Sequence, residues 1–205
     1  MEERTVGRAY PGLYVSATAQ LDSARPRLEV DISFGEAITP APEEVEIPTL
    51  LGSPRPRLRV YPRETVVAEK VHALVALGLA NTRLKDFFDL WYLLSTSTLD
   101  ADTQRGAVRA TFTRRGTAYP QDEVPVALTD AFALDPGKQR LWSAYRSRLG
   151  ETAAPTALPR LVEDLRGFVL PLLGSEPWSR EHRRHLQDAR DLAHHLLSNH
   201  RRAPG

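Results

Sequence analysis

The 205 residues are 41% apolar and 26% charged, enough apolar content for a core in one large domain or two small ones. A net charge of +1 gives no global pull toward nucleic acid, and the absence of cysteine excludes disulfides and thiolate metal sites. No apolar run reaches membrane-spanning length, and the opening MEERTVGRAYPG has no apolar segment of signal-peptide type, so a cytoplasmic protein without a membrane partner is expected.

In chain order, two strands come first. Leu13, Val15, Ala17 and Ala19 alternate with polar or small residues, and Leu28, Val30, Ile32 and Phe34 alternate with Glu29, Asp31 and Ser33. Period-two alternation predicts strands, and the turn-like Asp22–Pro26 between them predicts a hairpin ended by Gly35. Residues 36–63 carry six prolines and read as an extended connection, with short strands at Val45–Ile47 and Leu58–Val60.

From Glu64 the pattern becomes helical. Val67, Val71, Leu74 and Gly78 share a face, and Gly78 to Asn81 breaks the run. A second helix is predicted from about Arg83 to Leu94, with Phe87, Leu90, Trp91 and Leu94 inward. Asp100 caps a third helix carrying Val108, Ala110 and Phe112 and stopping at Gly116. Pro136 opens a helix holding Leu141, Trp142 and Tyr145; Pro159 opens another with Leu161, Leu165, Phe168 and Val169, ended near Pro171. The tail 177–202 reads as a charged helix. The fold class is therefore α+β: a small antiparallel or mixed sheet followed by a helical bundle. Three segments are expected: a β region at 1–62, a helical domain at 63–175, and a charged helix at 176–205.

Four positions invite a chemical reading. Asp31 lies mid-strand on the face away from Val30 and Ile32; it can hold a hard cation by oxygen, or belong with Glu29 to a solvated sheet face. Lys70 sits early on the first helix. It can meet phosphate oxygens as a point charge, or be a surface lysine paired with Glu69 or Glu64. The chain has three lysines, Lys70, Lys85 and Lys138, and two of them fall in this region. Asp86 and Asp89, three apart on the second helix, share one side; the helix dipole favours a carboxylate at this end, and Arg83 or Lys85 can neutralise one of them.

These residues also carry a resemblance. Asp31-Ile32-x-Phe34-Gly35, then Tyr61-Pro62-x-Glu64-Thr65-x-x-Ala68-Glu69-Lys70, then Arg83-x-Lys85-Asp86-Phe87-x-Asp89-Leu90, and later Asp135-Pro136-x-Lys138-x-x-x-Trp142 follow one another in order. From about Tyr10 to Pro171 the chain resembles the AbiEii/AbiGii toxin family of nucleotidyltransferases, which is similar to DNA polymerase beta-like enzymes and belongs to bacterial abortive-infection and toxin–antitoxin systems. The resemblance implies a nucleoside triphosphate and Mg2+ as cofactors, and transfer of a nucleotide to RNA, in relatives the 3′ end of tRNA. It implies that Lys70 contacts the triphosphate, with Arg83 and Lys85 beside it. It implies that Asp86 supports catalysis and that Asp31 matches a carboxylate of the metal site. A cognate antitoxin is the partner it implies, with tRNA as acceptor.

The family's opening motif, a Gly-Ser turn followed by Asp-x-Asp, is not found. Asp100-Ala101-Asp102 reads as a helix cap, and Gly52-Ser53 is followed by prolines. Paired aspartates bridge two metal ions in such enzymes. The expectation is thus a partial nucleotidyltransferase, beginning within the catalytic domain and inactive until missing N-terminal residues complete it. The alternatives are a non-catalytic antitoxin- or RNA-binding module, or a decayed fragment. Without the missing strands, Leu28, Val30, Ile32 and Phe34 lack a cover, and self-association through the sheet is expected. The tail histidines His182, His185, His194, His195 and His200, and the tail arginines, read as an exposed, salt-bridged polar helix rather than a metal or phosphate site.

Overall fold

The computed structural model describes residues 12–35, 37–50, 52–121, 123–149 and 154–174. The expected tail helix and its histidines lie outside the described residues. The chain divides into two compact units, Met1–Ala37 and Ile38–Gly205.

The first unit is an antiparallel hairpin of β1 (Gly12–Thr18) and β2 (Arg27–Ser33). Its turn closes through the reciprocal backbone bonds of Leu21 and Ala24, with Asp22 at φ 50°, a left-handed conformation that aspartate tolerates better than most residues. The register sets Val15 opposite Val30, Leu13 opposite Ile32 and Tyr14 opposite Asp31. Directly opposed residues share a face. One face is therefore apolar (Leu13, Val15, Val30, Ile32), and the other carries Tyr14, Ser16, Arg27, Glu29 and Asp31. Arg27 organises the polar face: its Nε donates to Ser16 Oγ at 3.0 Å and meets Glu29 at 2.9 Å.

The second unit begins with another two-stranded antiparallel sheet, β3 (Glu43–Glu46) and β4 (Arg57–Val60). Its register puts Glu44 opposite Arg59 and Glu46 opposite Arg57, so acidic and basic strands pair charge to charge, and Arg57 bridges diagonally to Glu44 at 3.1 Å. The prolines between the strands leave room for only four ladder residues on each.

Six helices follow among the described residues: α1 (Arg63–Leu77), α2 (Leu84–Thr96), α3 (Ala101–Arg114), the single turn α4 (Asp130–Ala133), α5 (Pro136–Leu149) and α6 (Leu158–Leu173). The fold class is α+β, as expected. Val67, Val71 and Leu74 are buried on α1, and Phe87, Leu90, Trp91 and Leu94 on α2. Gly78, placed on that α1 face by spacing, instead adopts φ 49° and opens a 3-10 turn, Gly78–Ala80, that reverses the chain toward α2. Asp100 caps α3 by accepting from the Thr103 backbone N–H at 2.8 Å. The core runs through all these helices; Phe87 stacks flat on Phe132, with centroids 5.1 Å apart.

Helix α6 ends at Leu173, close to where it was expected to end. Pro171 lies inside its last turn. Proline loses one helical hydrogen bond, but Pro171, Leu172 and Leu173 are all buried, and their burial compensates for the missing bond.

Candidate functional site

The site is built where α1 crosses α2. The apolar stripe of α1 packs Val67, Val71 and Leu74 inward, which turns Lys70 to the flank of the helix pair. The stripe of α2 does the same, turning Asp86 and Asp89 to the same flank. Lys70 Nζ donates to Asp86 Oδ1 and to Asp89 Oδ2, both at 2.7 Å. Only 17% of the Lys70 side chain and 11% of that of Asp86 is exposed. Each carboxylate has a second cation from its own helix: Arg83 reaches Asp86 Oδ2 at 3.0 Å, and Lys85 reaches Asp89 Oδ2 at 2.6 Å. Three cations thus surround two carboxylates. Arg83 and Lys85 keep most of their side chains in solvent, and Lys85 is 67% exposed.

The electrostatics follow from the packing. Burial pushes the Asp89 carboxyl up, but the hydrogen bonds from Lys70 and Lys85 outweigh it and hold the group below the ordinary aspartate range. Lys85 is raised, chiefly by its hydrogen bond to Asp89, against a smaller opposing effect of burial. Burial, then the Asp89 charge, raises the Tyr145 hydroxyl. Tyr145 of α5 is in ring contact with Phe88, the neighbour of Asp89 on α2.

Two supports hold α2 in place, one at its start and one further along, and neither is evident from sequence spacing. Asn81, fully buried, accepts the Arg83 backbone N–H on its side-chain oxygen at 2.9 Å, and its own carbonyl accepts from Lys138 Nζ at 2.7 Å. Lys138 so ties α5 to the loop that aims Arg83 and Lys85. At the far end of α2, Trp91 Nε1 donates to Asp164 of α6 at 3.0 Å, and Arg160 bridges the other oxygen at 3.0 Å. Burial raises Asp164 in spite of those partners.

Lys70, Arg83, Lys85, Asp86 and Asp89 are thus brought together, and Asp31 is placed on the exposed polar face of the first hairpin. Lys70 pairs with carboxylates 16 and 19 residues away rather than with Glu69 or Glu64. Glu69 instead bridges Arg115, the residue that follows α3. The Asp86/Asp89 spacing was the one sequence signal for a shared partner. Among the described residues no group of three or more His, Cys, Asp or Glu side chains converges as a metal site. With Asp86 and Asp89 turned to Lys70, and with Asp31 on the first hairpin beside a Glu29 already paired with Arg27, the described carboxylates do not fit a magnesium ion.

Fold and cluster define an α+β protein whose helical bundle holds a lysine between two aspartates at the crossing of its first two helices. The chain belongs to the AbiEii toxin family: the family described as nucleotidyl transferase AbiEii toxin, type IV toxin–antitoxin system, matches residues 1–166. No curated protein and no solved structure gives a significant match. Among the described residues no helix is long and apolar enough to cross a membrane.

Proposed function

We propose that the chain acts in nucleotidyl transfer from a nucleoside triphosphate to RNA, with tRNA as the acceptor, and that the α1–α2 cluster is its triphosphate-contacting part. The observation that carries the reading is the cation set around Lys70 in a chain of a nucleotidyltransferase family. In such a transfer an RNA hydroxyl attacks the α-phosphate, pyrophosphate leaves, and negative charge builds on phosphate oxygens. Arg83 and Lys85 are exposed on one turn and held by carboxylates that restrict their motion, a pre-organised arrangement for such oxygens. Lys70 supplies a third charge from the facing helix. Asp86 positions Lys70 and Arg83 together.

The reaction also needs a metal-bridging carboxylate pair, which this sequence does not hold in the family's arrangement. Any magnesium that the transfer needs would have to be held by carboxylates supplied from elsewhere. The 205-residue chain alone is therefore proposed to be inactive, since each missing electrostatic element of this kind is worth about 3–4 kcal/mol of transition-state stabilisation. The test is incubation with labelled triphosphates, total tRNA and magnesium. No incorporation is expected; incorporation that disappears in Lys70→Ala would show the missing pair to be dispensable and the proposed division of labour to be wrong.

A specific observation favours a second reading, a non-catalytic module binding RNA or an antitoxin. Lys70 already satisfies two carboxylates, so a triphosphate must compete with Asp86 and Asp89 for it. The toxin–antitoxin family makes an antitoxin the natural protein partner under either reading.

A further inference from the structure

The aromatic residues beside the cluster are not needed to explain it. On α2, Lys85, Phe88 and Tyr92 follow at helical spacing; on α5, Lys138, Leu141, Tyr145 and Arg148 do the same. The two stripes meet. The Phe88 ring lies 6.1 Å from Tyr92, nearly parallel to it, and 6.0 Å from Tyr145, steeply inclined. The Arg148 guanidinium sits 5.9 Å from the Tyr145 centroid. The row is not sealed into the core: Tyr92 is 44% and Leu141 43% exposed, and Phe88 and Tyr145 are half-buried. Lys85 bounds it beside the ion-pair cluster and Arg148 on the α5 side. Among the described residues Arg148 has no acidic partner. Helix α5 carries four basic residues and no acidic one, so nothing on that helix neutralises it.

We propose that this α2–α5 surface binds single-stranded RNA, with bases stacking along Tyr92, Phe88 and Tyr145 and the backbone phosphates meeting Lys85 and Arg148. Part-exposed rings flanked by cations suit a strand whose bases are unstacked, because every base has a face to stack and the backbone phosphates meet a charge at each end of the row. An acidic protein would use the arginines without needing the rings. The inference rests on the RNA-acceptor reading above and gives the acceptor a place: its strand would run from Arg148 past the rings to Lys85, next to Lys70, where the triphosphate is proposed to sit.

The test is fluorescence anisotropy of a labelled twelve-nucleotide single-stranded RNA of mixed sequence, run in parallel with a fluorescent nucleoside triphosphate. Wild type is expected to bind the RNA with a marked salt dependence. Tyr92→Ala should weaken RNA binding about tenfold and Tyr92→Phe should retain it, as stacking requires. Arg148→Ala should weaken it too and reduce the log–log salt slope by about 0.7, one phosphate contact on a single strand. Neither residue belongs to the ion-pair cluster, so triphosphate affinity should be unchanged in both variants. Tyr92 and Arg148 are exposed, and matching melting curves would show that the variants fold. RNA affinity indifferent to Tyr92→Ala and Arg148→Ala overturns the inference, as does displacement of the RNA by polyglutamate without any dependence on Tyr92, which would mark an acidic-protein surface. Triphosphate binding without RNA binding overturns the surface and leaves the functional reading standing. RNA binding dependent on Tyr92 without triphosphate binding does the reverse.

Discussion

The first hairpin and the α1–α2 crossing both set charged residues among aliphatic ones, and they treat them in opposite ways. On the hairpin, Asp31 and Glu29 stand on a solvated face, and Val30 and Ile32 behind them are themselves exposed. At the crossing, Lys70 and Asp86 are mostly withdrawn from water, and each meets two partners of opposite sign. A carboxylate on an exposed strand loses little hydration and needs no partner. A charge between packed helices is tolerated only when it is paired. A charged residue among aliphatic ones therefore carries much more information in the helical unit than in the hairpin.

The largest effect separating the two regions should come from packing. Phe87 is fully buried and stacked on Phe132, so Phe87→Ala should cost about 3–5 kcal/mol in urea unfolding. Val30→Ala on the half-exposed hairpin should cost less than about 1 kcal/mol. Equal costs would mean that the hairpin's apolar face is covered in solution. Self-association would supply such a cover, and sedimentation across a concentration series would detect it.

The next effect concerns charge. Lys70→Ala leaves Asp86 and Asp89 with one cation each and should destabilise by about 3 kcal/mol, at the low end for breaking a buried pair because Arg83 and Lys85 remain. Asp31→Asn should change stability by no more than about 0.5 kcal/mol. If the two substitutions had similar costs, the contrast between the regions would fail.

The smallest effect is in pH dependence, and its sign can be worked out. Asp89 is held below its ordinary range in the folded state, so its contribution is present above the unfolded value and is lost as pH falls through the folded one. Asp164 is raised, so ionising it costs stability, and that cost disappears as pH falls. The Asp164 change therefore falls above about pH 4 and the Asp89 change below it, with opposite signs. Acid titration of stability should flatten in Asp89→Asn and steepen in Asp164→Asn; the reverse order would show that the partners of these carboxylates are misassigned.

Much of the helical unit was legible in the sequence because its stripes are long and its stops are chemical: Phe87, Leu90, Trp91 and Leu94 fall inward as spaced, and Asp100 caps as its position implies. The pairing of β3 with β4 was not legible. Six prolines obscure any periodicity there, and the pairing rests on a match of glutamates with arginines across a loop. The partners of Lys70 were hidden for a different reason. Nearby Glu64 and Glu69 offered a local explanation, while the real partners are brought in by the reversal at Gly78. Lys138 reaching the Asn81 carbonyl and Trp91 reaching Asp164 connect elements with no shared sequence pattern.

The central claim is that the cations around Lys70 form a binding site and are more than a clamp between two helices. Titration of a fluorescent nucleoside triphosphate into wild type and Arg83→Ala/Lys85→Ala tests it most directly. Both substituted side chains are largely exposed, so the α1–α2 packing should survive, with Lys70 still held by Asp86 and Asp89. Salt-dependent binding by wild type, weakened more than about tenfold in the double variant, is the predicted result, since charge-assisted contacts of this kind each contribute about 1.5–3 kcal/mol. No binding by wild type, or equal binding by a double variant of unchanged melting temperature, would contradict it and leave the cluster a structural tie.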